Sequence, residues 1–271
     1  MFLKFVLNKW LESLTFFKWN NLSLLFLASL NAFKRSFLII LKYFWWFGLF
    51  LFAFDYVIES FFAMDPFESF LSVSLLILRY LFFMLFSFFA FMVVRASVER
   101  KDFRYFIKYI HRIGGFLLIP FFIYAVGLSA LYLITYIWGG GDYLQSLPYS
   151  MYDSWFLTIV LFILLSLTFA TAVFSSYFFF DFSNGLSSVF LSIKNGCKFI
   201  FYFFPISFIF GAISTAALIL FMRPLELEFW SIVMYFSYYI GIILYLSISS
   251  IIYFKIKHSN YSLFFKPKFM D

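Results

Sequence analysis

Few residues in this chain combine a type and a spacing that could do chemistry. Arg79 lies about nine residues into an apolar run that opens near residue 70, which is roughly 13 Å of helix at 1.5 Å per residue. An ionisable group at that depth in a bilayer is costly and is usually partnered. Asp55 and Glu59, at the far end of the preceding run, are the nearest acids in chain layout, so an ion pair of Arg79 with one of them is expected. Such a pair would close a hairpin; in a transporter, Arg79 and Asp55 would line a polar path. Aspartyl proteolysis inside a membrane needs two aspartates facing each other across two spans. Asp142, after Gly139-Gly140-Gly141, shares one connector with Asp153, and a glycine turn is the expected structure there. His111 is solitary, and Cys197 is the only cysteine, so no internal disulfide forms. Neither metal-ligand spacing, nor a serine elbow, nor a phosphate loop occurs. The expectation is a chain with no catalytic residue, no metal and no cofactor.

The elements that must carry these residues are apolar helices. The chain of 271 residues is 65% hydrophobic and 12% charged, whereas soluble domains are near half apolar and a quarter charged. A water-soluble fold could not hide this much apolar surface, so the bilayer is the expected solvent. Six apolar runs stand out, at about 37–58, 70–94, 113–137, 155–180, 199–222 and 230–254. Each is near or above the ~20 residues a helix needs to span. Lys42, one turn inside the first run, can snorkel to the headgroups. Residues 2–18 are apolar but interrupted by Lys9 and Glu12, which fits a retained interfacial helix better than a cleaved leader; residues 22–35 predict a second one. Ser207, Gly211 and Thr215, with Ser237 and Gly241, are small residues spaced to let the last two spans pack closely.

The net charge of +7 is placed by topology rather than by nucleic acid. Lys4, Lys9, Lys18, Lys34 and Arg35 precede the first run, and Arg95, Arg100, Lys101, Arg104, Lys108 and Arg112 follow the second. Lys194 and Lys198 follow the fourth, and Lys255, Lys257, Lys266 and Lys268 follow the sixth. Seventeen of the 20 bases thus fall on one side, and only Lys42, Arg79 and Arg223 do not. By the positive-inside rule this gives six spans with both termini cytoplasmic, most simply in a bacterial inner membrane. Residues 97–112 predict an amphipathic helix flat on that leaflet: Phe103, Phe106, Ile107 and Ile110 on one face, Lys101, Arg104, Lys108, His111 and Arg112 on the other. Lys101, Arg104, Lys108 and Arg112 are the candidate contacts for anionic lipid. Residues 183–198 predict a third interfacial helix, with Leu186, Val189, Phe190, Ile193 and Cys197 as its apolar stripe. The expected fold is therefore all-α and polytopic, a single membrane domain. It would hold N-terminal interfacial helices (1–35), hairpins at 37–94, 96–180 and 183–254, the last two each led by an interfacial helix, and a tail at 255–271. Interfacial helix plus hairpin reads as a unit repeated three times. Pro120 and Pro205 sit at similar depths in the second and third units.

The segment Asn184-Gly185-Leu186-Ser187-Ser188-Val189-Phe190-Leu191-Ser192-Ile193-Lys194-Asn195-Gly196-Cys197-Lys198 resembles the interfacial segment of the YciC-like bacterial inner-membrane proteins. It is also similar to the membrane domain that accompanies some glycerophosphodiester phosphodiesterases; Ser29 to Arg35 echoes it. The resemblance implies an envelope protein with no catalytic residues to carry over. Pro66-Phe67-Glu68-Ser69-Phe70 and Glu99-Arg100 are similar to features of the twin-arginine translocase channel subunit, which would give Glu99 a signal-peptide-binding role. The resulting expectation is a non-enzymatic accessory or structural membrane protein, with a transporter or channel as alternative and a translocase-like subunit as a further one. Its partners would be lipid and either a membrane protein or a second copy, with no nucleic acid.

Overall fold

The computed structural model describes residues 8, 19–64, 70–145, 155–182, 188–222 and 228–259. The side chains of Asp55, Glu59, Arg79 and Asp142 lie outside the described residues, and so does the expected ion pair of Arg79; residues 2–7 and 9–18 of the first interfacial helix also lie outside them. Every long element is a helix, as a bilayer demands of backbone amides that can find no water. They are α1 (Trp19–Met64), α2 (Phe70–Glu99), the one-turn α3 (Arg104–Ile107), α4 (Ile113–Gln145), α5 (Trp155–Phe182), α6 (Val189–Met222) and α7 (Glu228–Ser259), with a 3-10 turn at Ile110–Arg112. No strand occurs among the described residues. Five stretches are long and apolar enough to cross a membrane: Ser23–Phe54, Leu81–Glu99, Ile110–Gly127, Phe162–Phe182 and Tyr239–Lys257. They lie in α1, α2, α4, α5 and α7, the helices of the first four expected spans and the last. The fifth expected span, 199–222, is helical in α6, but most of its side chains lie outside the described residues.

The chain forms two compact units, one of Met1–Leu22 and Gly114–Phe236, the other of Ser23–Ile113 and Ser237–Asp271. In the second, α1 and α2 pair antiparallel through phenylalanines. Phe44 meets Phe89 at 5.6 Å, Phe50 meets Phe82 at 5.2 Å, and Phe54 meets Phe82 at 5.1 Å. α7 joins them with Tyr239 edge-on to Phe86 at 4.8 Å, a favoured aromatic geometry. In the first unit, α5 is the inner helix, with Phe174 to Phe180 all buried. α4 packs on it where Gly115 faces the Phe179 ring and Gly127 faces Thr168. α6 also packs on it, through Gly196 against Ser175 and Thr171, and through Gly211 against Ser166. Phe162 and Phe208 complete that contact at 4.2 Å.

Several boundaries differ from expectation, the helices that run on for one physical reason. A helix satisfies its own backbone, so nothing in the bilayer or at its surface forces it to end where polarity changes. The expected interfacial helix 22–35 is continuous with the first span in α1, 46 residues long, about 69 Å at 1.5 Å per residue. Residues 189–198 likewise run into 199–222 without a break in α6. Gly139-Gly140-Gly141 form no turn and lie in the last turns of α4. The predicted single helix over 97–112 is instead the end of α2, a turn, α3 and the 3-10 turn. The apolar stripe expected on 183–198 points outward at Phe190, 70% exposed, and at Cys197, while Ser192 and Gly196 are buried. On α6 it is the small face that packs, because small side chains let backbones approach closely. Ser207 and Gly211 are buried, and a Cβ on Gly211 would meet Ser166 of α5. A Cβ on Gly241 would meet nothing within 4 Å.

Candidate functional site, the basic turn that ends the second helix

The last turns of α2 are buried on every face. Phe91, Met92, Val93 and Val94 have no exposed surface, and Arg95 follows at 5%. A helix apolar all round is a core helix, and a cation placed in it must be compensated where it stands. Glu99, one turn on, does this: Arg95 Nε donates to Glu99 Oε1 at 2.8 Å. The second carboxylate oxygen takes Lys101 Nζ, also at 2.8 Å. Arg95 near a helix C-terminus is favoured by the macrodipole, and Glu99 there is not, so the carboxylate depends on its two cations. The hydrogen bond to Glu99 in turn holds the Lys101 ammonium above the ordinary lysine value.

Two rings enclose the guanidinium. Its Cζ lies 5.7 Å from the centroid of Phe106 and 5.4 Å from that of Phe254, both within cation–π range. Phe106 belongs to α3 and is 1% exposed; Phe254 belongs to α7. One side chain thereby ties α2, the connector and α7 together. The turn between them is a Schellman cap. Arg100 has φ of 53°, and the Lys101 amide donates to the Ala96 carbonyl at 3.0 Å, the six-to-one bond of that motif. Glycine usually holds this position, and a non-glycine residue there costs roughly 1–2 kcal/mol. Asp102 Oδ1 then accepts the Arg104 amide at 3.1 Å and starts α3.

The four candidate lipid-contact bases lie on this turn. Lys101, Arg104 and Lys108 are exposed and Arg112 is half-buried. They do not form the clean face expected of a helix. Lys101 and Lys108 sit over the Tyr105 ring at 4.7 and 3.7 Å, and Arg112 over Tyr109 at 5.1 Å. Hydrogen bonding with Tyr109, and after it Lys108, draws the exposed Tyr105 phenol below its ordinary value. Of the apolar set, Phe106 is turned inward while Ile107 and Ile110 are exposed. The outer surface mixes bases, tyrosines and isoleucines, the composition of a membrane–water interface. His111 Nδ1 lies 3.0 Å from the Lys108 carbonyl.

Sequence reading placed Arg95 among the topological bases and missed that it is buried. The available sign was its setting: Val93-Val94-Arg95-Ala96-Ser97-Val98 stays apolar on both sides, with an acid at i+4. Glu99, the acid of the translocase likeness, has both oxygens engaged, by Arg95 and Lys101. Comparison with protein-family models, with curated proteins and with solved structures finds no match to this chain.

Proposed function

We propose that this chain is a non-enzymatic, multi-spanning membrane protein with an accessory or structural role in its membrane. It has six spans, both termini in the cytoplasm and the basic turn at the cytoplasmic surface of an inner membrane. The fifth span is the 199–222 part of α6. Three repeats of hairpin and leading segment are supported by Pro120 and Pro205, each inside the first helix of its hairpin.

The observation that carries the proposal is where most of the buried hydroxyls go. A serine inside a bilayer can face a substrate path or return its proton to its own helix. Ser29, Ser36, Ser97, Ser166, Ser176, Ser247, Ser249 and Ser250 all donate to the carbonyl four residues back, at 2.5–3.0 Å. Thr171 does the same to Leu167. These groups are spent on the helix itself and leave a small, dry packing face. Ser176→Cys and Ser247→Cys, each in a Cys197→Ser background, are therefore expected to resist a water-soluble maleimide from both sides of intact membranes, and to react fully once unfolded in SDS. Labelling in intact membranes would mean a water path through the helices and would favour the transporter.

A further inference from the structure

We propose that the groove between α1 and the C-terminal end of α2 seats the phosphate of an anionic phospholipid. It rests on the membrane-spanning reading above and adds a defined ligand site to it. The groove has a volume of about 540 Å³ and is lined by Arg35, Arg100 and Lys101 over a floor of Leu38, Ile39 and Ala96. No acid lines it among the described residues. Glu99 neutralises part of Lys101, which leaves Arg35 and Arg100 as exposed cations aimed at one space. Two guanidiniums with planar donor forks suit a phosphate better than a point charge would. Arg100 reaches the groove from the left-handed position that glycine ordinarily holds. Such an outlier is a pointer to function, since a glycine cap would end α2 equally well and leave the groove short of a base.

The occupant is a lipid rather than a soluble anion because of what continues from the groove. Leu38, Leu41 and Trp45 follow one another along a single face of α1, 56%, 48% and 57% exposed. They lie inside the apolar stretch Ser23–Phe54. A headgroup on Arg35 and Arg100 would lay its acyl chain along this strip, and basic pockets at the cytoplasmic ends of helices are known binders of such headgroups. The site differs from the outer surface of the turn, where Arg104 and Lys108 point.

The test is native mass spectrometry of the full chain in mild detergent, with phosphatidylglycerol or phosphatidylcholine added. Phosphatidylglycerol is expected to bind at least about tenfold more tightly. Arg35→Gln and Arg100→Asn, the latter chosen because asparagine tolerates the left-handed backbone, should each weaken it about fivefold, and together about 25-fold, from roughly 1 kcal/mol per base. Arg35→Lys, which keeps the charge, should lose less than Arg35→Gln, and either single variant decides the matter should the double variant fail to fold. Arg104→Gln with Lys108→Gln, on the outer surface of the turn, should lose less than either groove variant. Equal binding of the two lipids, full binding by the variants, or a loss that follows Arg104 and Lys108 would each overturn the site. Displacement of the lipid by equimolar glycerol phosphate would make it a site for soluble anions and overturn the lipid assignment. Flotation of the same preparation with phosphatidylcholine liposomes separates the two levels: a chain that does not float contradicts the membrane reading, and one that floats without discriminating the lipids contradicts only the groove.

Discussion

Arg95→Leu is expected to destabilise the protein by about 3 kcal/mol, within the range for breaking one partner of a buried ion pair. The loss has two parts. Leucine leaves the Glu99 carboxylate, whose side chain is only 14% exposed, with Lys101 alone. It also removes the cation held between Phe106 and Phe254, a contact worth about 2 kcal/mol when desolvated. Arg95→Lys keeps the charge but not the planar fork, and should cost about 1–2 kcal/mol. Arg95→Leu with Glu99→Leu should recover part of the loss, because an apolar pair in the same volume carries no desolvation penalty. Reversible unfolding in mixed detergent and SDS measures all three. A single Arg95→Leu variant within about 1 kcal/mol of wild type would mean that Arg95 does not clamp the basic turn.

Gly196→Leu is expected to cost about 3 kcal/mol or more, at the upper end for overpacking. Even a Cβ at this position falls on Ser175 Oγ, and it comes within 3.0 Å of the Ser175 amide nitrogen and 3.1 Å of the Thr171 carbonyl oxygen. The last two are backbone atoms, so no side-chain rotation relieves them and α5 and α6 must separate. Gly211 repeats the arrangement about four turns on, its Cβ meeting Ser166 Oγ and lying 3.2 Å from Ser166 Cα. Gly196→Ala is the sharper test, since alanine favours a helix by about 1 kcal/mol over glycine and a net loss must then come from packing. Ser175→Ala alone should be near neutral, because its hydroxyl is buried without a hydrogen-bond partner among the described residues and its removal leaves no donor stranded. Combined with Gly196→Ala it should restore part of the stability. A stable, unchanged Gly196→Leu would rule out the close α5–α6 contact.

The sequence was most legible where one property decides. A helix in lipid needs about 20 apolar residues, so the stretches in α1, α2, α4, α5 and α7 could be found by length alone, and an all-helical membrane chain followed. Helix ends were poorly legible. Lys34-Arg35 and Lys194 to Lys198 look like breaks but sit in the middle of α1 and at the start of α6, because a charged side chain can reach the headgroups without the backbone turning. Packing faces follow from the same solvent. In water the apolar stripe of a helix turns inward; here Phe190 and Cys197, on the stripe of the expected interfacial helix, are exposed. In lipid the tails are as apolar as leucine, and the small face at Ser192 and Gly196 is the one that packs. Arg95 was hidden by its neighbours: six bases follow the second run within eighteen residues, and only the three-dimensional placement of Phe106 and Phe254 distinguishes the buried one. The left-handed cap at Arg100 has no sequence mark, since glycine is the residue that would announce it.

The central claim is a multi-spanning chain with its basic turn on one side of the membrane. The most direct measurement labels the two ends of α4, whose 33 residues run from Ile113 to Gln145. Lys108→Cys and Asp142→Cys are placed separately in a Cys197→Ser background and exposed to a membrane-impermeant maleimide in intact cells and in inverted vesicles. The expected result is that Asp142→Cys labels only from outside the cell and Lys108→Cys only in the inverted vesicles. Labelling of both from the same side would contradict the account.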